Sequence, residues 1–276
     1  MLTGHFFGMP PKPETMRLRL GVFTLDFLRG LCTKGSMIRT CISLMLLATA
    51  AFNHHAAVAQ DQPAPEPPRA IQDSDRQGWT AISVAGPVEK DSKLLLWFDG
   101  HARFRDDASD LGVTIFRPGL GWRVADGLDL WMGYADVIAR PELGDDIEEQ
   151  RFWQQATYRI TEIAGGQVGG RTRLEQRFRG GDSETGWRFR QQIRWAKPIG
   201  NGDVSLIVWD ELFFNLNDAT GVHQGGFDQN RLFVGGAFRL SDSARIEAGY
   251  LNNILNPPGP DNQVNHNVSI GLFFAL

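Results

Sequence analysis

From Trp79 to the C-terminus, polar and apolar residues alternate in segments of about ten, a length suited to a tilted membrane-crossing strand, and Gly, Asp, Asn and Pro break them apart. No stretch in this region carries the 3.6-residue period of an amphipathic helix, so the pattern predicts strands whose side chains point alternately to two faces. In GRTRLEQRFRG, Arg171, Arg173, Glu175, Arg177 and Arg179 share one face, and Thr172, Leu174, Gln176 and Phe178 share the other. WRFRQQIRW repeats the arrangement, with Arg188, Arg190, Gln192 and Arg194 opposite Trp187, Phe189, Ile193 and Trp195. The last segment sets Val268, Ile270, Leu272, Phe274 and Leu276 against Asn267, Ser269, Gly271, Phe273 and Ala275. One face is greasy and the other is densely charged.

A soluble sheet shows this pattern when its apolar face lies in a core; a membrane barrel shows it inverted, with the apolar face on lipid and the charges inside. Ten segments read as strands: 93–106, 111–124, 127–139, 147–161, 166–180, 185–197, 203–215, 228–240, 243–252 and 266–276. The connections alternate in length. DASD, PELGDD, GGDSE, DATGVHQGGF and NPPGPDNQVN take turns with the tight ADG, EIAGG, KPIGNG and SDS, as in barrels with short periplasmic turns and longer outer loops. The expected fold is therefore all-β, an antiparallel up-and-down transmembrane β-barrel of 10 to 12 strands over residues 78–276. A further segment, GWTAISVAG at 78–86, runs the wrong way for a periplasmic N-terminus and reads either as a plug or as a sign that two more strands complete a twelve-stranded barrel.

The N-terminal region supports export. Arg39 followed by the apolar CISLMLLATAAF and by Ala57, Val58 and Ala59 has the three parts of a secretory signal peptide, placing it at 37–59 with cleavage before Gln60. Residues 1–36 then read as over-called upstream sequence, and the Pro-rich 60–77 as a disordered periplasmic leader. Cleavage would remove six of the 28 Lys and Arg, two of the 32 Asp and Glu, and both cysteines, Cys32 and Cys41. What is left is acidic, which argues against a nucleic-acid partner, and free of cysteine, which excludes a disulfide framework and thiol catalysis.

Two further features favour the membrane. All eight Trp (79, 97, 122, 131, 153, 187, 195 and 209) fall in the strand region, several near strand ends, as expected of aromatic girdles at the two lipid interfaces. Ser269, Gly271, Phe274 and Leu276 fit the outer-membrane assembly signal of a terminal strand, which closes the barrel against the first strand. The partners this implies are outer-membrane lipid, lipopolysaccharide and, during biogenesis, the barrel-assembly machinery.

The charged face supplies the candidate site. Arg103, Arg105, Arg117, Arg123, Arg151, Arg171, Arg173, Arg177, Arg188, Arg190, Arg194 and Arg231 collect there with Asp99, Asp129, Glu175, Glu211 and Glu247. A ring of arginines could conduct anions. The preferred reading is an interlocked Arg–carboxylate lattice, because side chains fill most of so narrow a barrel. No catalytic residue is assigned: there is no G-x-S-x-G, Ser269 is predicted to point inward, and His266 lies on the opposite face. His101, His223 and His266 lack metal-ligand spacing. The acidic runs Asp106, Asp107, Asp110 and Glu142, Asp145, Asp146 read as solvated loop charge, so neither a metal nor a cofactor is expected.

RFWQQATYRI, RTRLEQRFRGG, RFRQQIRW, WDELFFNLN, FDQNRLFVGGAFRL, IEAGYLNN and NHNVSIGLFF together, and in that order, resemble an uncharacterised bacterial outer-membrane family, the domain of unknown function 2490. The resemblance covers about Trp79 to Phe274 and implies an outer-membrane β-barrel, with no activity and no catalytic residues attached. The expectation is a small non-enzymatic outer-membrane protein, structural or a narrow solute pore. A membrane-embedded lipid-modifying hydrolase and a secreted soluble β-barrel binding protein are the alternatives.

Overall fold

The computed structural model describes residues 71–181, 184–257 and 262–276. All regular structure among them is β: β1 (Ile71–Pro87), β2 (Leu94–Arg105), β3 (Asp110–Ala125), β4 (Leu128–Ala139), β5 (Ile147–Ile163), β6 (Gly166–Arg179), β7 (Gly186–Ile199), β8 (Val204–Asn215), β9 (Gly226–Arg239), β10 (Ala244–Leu255) and β11 (Asn262–Ala275). Each strand pairs with its sequence neighbour, and β1 with β11 closes the barrel. The ten strands read from alternation are all present, each end within four residues of its expected position.

Among the described residues the barrel has eleven strands, within the expected range of 10 to 12. The 78–86 segment is neither a plug nor half of an extra hairpin. It belongs to β1, which runs in the same direction as β11 and pairs with it in parallel, Trp79 opposite Ser269 and Val84 opposite Phe274. All other pairings are antiparallel. One parallel pair lets a closed barrel carry an odd number of strands, a solution that the parity argument had not included. β1 also begins at Ile71, so residues 71–77 are not the end of a leader. Their backbone pairs with the start of β11, Asp75 opposite Asn265 and Arg76 opposite His266, so ladder hydrogen bonds fix a segment whose side chains are too polar to announce a strand. The expected signal peptide at 37–59, the upstream residues 1–36 and residues 60–70 lie outside the described residues.

The rims differ. Connections 106–109, 140–146 and 216–225, with the described ends 180–181, 184–185 and 256–257, gather at one end together with the start of β1; 88–93, 126–127, 164–165, 200–203 and 240–243 gather at the other together with Ala275. In the tightest turns positive-φ residues reverse the chain, Gly127 at 74° and Ala164 with Gly165 at 52° and 74°.

The period-2 alternation translates directly into two surfaces. Phe116, Leu120, Trp122, Met132, Phe152 and Val268 are more than half exposed on the outer wall. Arg173, Glu175, Glu211 and Asn267, all no more than 2% exposed, face inward. Polar residues of the outer wall bond to each other: Gln154 with Gln176, Tyr158 with Thr172 and Gln191, and Asn230 with Asp210 at 2.8 Å.

The tryptophans depart from the girdle expectation. Trp122, Trp187 and Trp195 face outward, but Trp79, Trp97, Trp131, Trp153 and Trp209 fill the interior. In the half nearer the short turns Trp97 lies edge-on to Trp131 at 5.3 Å and to Trp153 at 6.3 Å, over Leu95 and Ala135. Across the lumen Trp209 stacks on Phe233 at 5.3 Å, beside Ile207, Ala237 and Leu251. A barrel of this size has to be filled by side chains, and glycines make the room. A Cβ on Gly121 would sit 2.3 Å from the Trp131 ring, and one on Gly133 2.5 Å from that of Trp153.

Candidate functional site

The half of the lumen nearer the long loops is charged. Strand parity delivers Glu149, Arg151 and Gln155 from β5, Arg171, Arg173, Glu175 and Arg177 from β6, Arg188 and Arg190 from β7, Glu211 from β8 and Arg231 from β9 into one layer. Glu175 accepts hydrogen bonds from Arg188 at 2.6 Å and Arg190 at 2.7 Å, with Arg173 at 3.7 Å and Arg151 at 4.0 Å completing its cationic surround. Glu149 takes a bidentate pair of bonds from Arg177, both 2.7 Å. Glu211 accepts from Arg171 and from Arg190, each at 2.9 Å. Arg190 therefore bridges Glu175 to Glu211, and Arg188 extends the chain to Asp228 at 3.1 Å. Three guanidinium groups, those of Arg188, Arg190 and Arg231, lie over the ring of the buried Phe213 at 5.5, 4.4 and 4.5 Å. Charge-assisted, partly bidentate bonds cross-brace this layer between strands up to two apart, β6 to β8 and β7 to β9.

The remaining residues of the predicted network separate into smaller groups. Arg194 and Arg245 pair with Glu247 near the short turns, at 2.8 and 2.9 Å. Arg117 pairs with Asp99 at 2.9 Å, and Arg123 with Asp129 at 3.1 Å at the rim. Among the described residues Arg231 has only neutral hydrogen-bond acceptors, Gln229 and Asn253. Arg103 and Arg105 reach the mouth, where Arg105 meets Asp110 at 2.5 Å and the Arg140 carbonyl, and Arg140 lies 3.7 Å from Asp146. Asp110 and Asp146 thus serve as counterions for mouth arginines while both stay more than half exposed. In the terminal strand Ser269 and Gly271 share the inward face, Leu276 is exposed, and His266 points out against Tyr250, away from Ser269.

Sequence reasoning missed Glu149, Phe213 and the loop between β8 and β9. The first two were legible: Glu149 shares its parity with Arg151, and Phe213 with Glu211. The loop was not, because its fold depends on distant partners. Arg179 donates to the Gly221 carbonyl, Arg177 donates to Nδ1 of His223 at 2.9 Å, Asn215 donates to the Gln224 carbonyl at 2.9 Å, and the Thr220 N–H donates to Glu184 at 2.6 Å. Ala219 and Val222 are buried, and the segment folds inward over the β6–β7 side of the mouth. Burial and the cation of Arg177 push His223 down to about 4, so its neutral ring is the acceptor that this contact requires.

The fold and its site define a class: a small closed β-barrel with an aromatic and ion-paired interior and an apolar exterior. The chain belongs to the family of proteins of unknown function DUF2490, which it matches over residues 76–265. It is also 32% identical over 202 residues to an uncharacterized protein of Methylorubrum extorquens, covering 72% of this chain and 87% of that one.

Proposed function

We propose that the protein is an outer-membrane barrel with a structural rather than catalytic role, embedded in outer-membrane lipid and lipopolysaccharide after insertion by the barrel-assembly machinery. The observation that carries this reading is the inversion of surfaces: large apolar side chains cover the outer wall while the ion pairs are inside. In water such an outer wall would be one continuous exposed apolar patch, which soluble monomers avoid; in lipid it is the favourable surface. The lateral pairing of the outward polar residues supports the same reading, because polar groups in hydrocarbon need partners within the protein. The burial of these ion pairs inside so narrow a lumen favours a non-conducting barrel over a solute pore.

The test is separation of bacterial envelopes with heat-dependent gel mobility on the same fractions, followed by planar-bilayer recording of the refolded protein. Recovery with the outer membrane, a mobility shift on heating and no unitary conductance are expected. Recovery in the soluble periplasm would overturn the membrane role, and steady ion-selective channels would overturn the structural one.

A further inference from the structure

One cation of the barrel interior stands outside the ion-pair layer. Among the described residues Arg103 has neither a carboxylate nor a hydrogen-bond acceptor, and its Nε is buried without a partner. It is nonetheless held in place: its guanidinium lies 4.0 Å from the centroid of the Trp79 ring, and Trp79 in turn donates its indole N–H to Gln77 at 3.0 Å. Stacking fixes the plane of a guanidinium and leaves its N–H edge free to donate. That side chain lines a cavity of about 240 Å³ at the long-loop mouth, on the β1–β5 side that the β8–β9 loop does not cover. The rest of the lining is mostly apolar, with Phe104, Val113, Ala139, Pro141 and Ile147. Arg105 and Arg140 also border it, but Asp110 and Asp146 neutralise them.

A partly buried charge without a counterion is costly, and a cavity beside it offers the means of compensation. We propose that this mouth cavity binds a small amphipathic monoanion, a carboxylate with a short hydrocarbon chain, its head on Arg103 and its tail against Val113, Ala139 and Ile147. The volume falls below the roughly 300–1,000 Å³ of sites for drug-sized ligands, so the ligand is smaller than a nucleotide. Arg103 is the one arginine of the lining without a carboxylate, which matches one negative charge, and the greasy wall selects against phosphate or acetate. The site does not depend on the membrane reading, because it is built entirely from the inner wall and the rim.

The probe is radiolabelled octanoate, measured by equilibrium dialysis against the refolded full chain in an uncharged detergent, or without detergent should the chain prove soluble. Octanol, acetate and inorganic phosphate are run in parallel. The expectation is saturable binding of one octanoate per barrel, with the other three at least tenfold weaker, and with Arg103→Met lowering octanoate affinity at least tenfold. Ala139→Phe, which fills the cavity and leaves the cation in place, gives the same loss and keeps the test open should Arg103→Met not fold by heat-dependent mobility. Octanoate binding that survives either folded variant, or that octanol matches, would overturn the site; acetate or phosphate binding as tightly as octanoate would overturn its amphipathic character.

Discussion

The two halves of the lumen do the same job with opposite chemistry. Toward the short turns, Trp131 and Trp153 pack against glycines and Trp97 against those two rings, and the packing contact is non-directional. Toward the long loops, Glu149, Glu175 and Glu211 are each shared among arginines, and every contact depends on direction and charge. Apolar packing degrades gradually as volume is lost or added, because neighbours can shift. A buried ion-pair layer fails more abruptly, because removing one partner leaves the other charged and dry.

The largest expected effect follows from that contrast. Glu175→Gln keeps the side-chain shape but removes the charge facing Arg188, Arg190, Arg173 and Arg151, and should cost about 3–5 kcal/mol. Urea-induced loss of the compact, heat-sensitive gel form measures it; a shift below about 1 kcal/mol would show that the layer contributes no more than exposed pairs do. The aromatic half should respond less. In Gly121→Ala the added methyl is directed at the Trp131 ring 2.3 Å away, and overpacking should cost about 1–3 kcal/mol. Combined with Trp131→Phe, the same methyl should be tolerated better than in the single variant, and strict additivity in urea unfolding would break the account of the Trp–Gly fit.

The smallest effect concerns the β8–β9 loop. His223 titrates near 4 in the folded loop against an ordinary value of 6.5, so the unfolded loop binds the proton more readily. The stability of the docked loop is complete above about pH 6.5 and declines as pH falls toward 4, where a protonated ring would face the guanidinium of Arg177. Amide hydrogen exchange at Val222 should accelerate relative to that of the strands between pH 7.5 and 5, after correction for intrinsic rates. His223→Gln, which retains an acceptor without a titrating ring, should abolish that difference.

How much of this was legible in the sequence follows from what alternation encodes. Period-2 patterning placed ten strands and assigned Arg173, Glu175, Arg190 and Glu211 to one face, because each strand carries its own parity. It did not reveal the partners. Arg171 and Glu211 are 40 residues apart, and their meeting at 2.9 Å depends on the register of two intervening ladders. The inward tryptophans were lost to composition: near a strand end, Trp serves an interface or a lumen equally well, and only the opposed glycines distinguish the two. β1 was missed in part because its first residues are polar; what defines it is pairing with a strand almost 200 positions away.

The parallel seam also gives the barrel a polarity that an even-stranded wall lacks. Ile71 and Leu276 lie at opposite rims, so the backbone enters the cylinder at one end and leaves it at the other. A reporter fused ahead of β1 and another fused after Leu276 would stand on different sides of whatever surrounds the wall. If the short-turn rim faces the periplasm, Ile71 lies at the outer rim and Leu276 at the inner one, so the first and last described residues mark opposite sides of the wall.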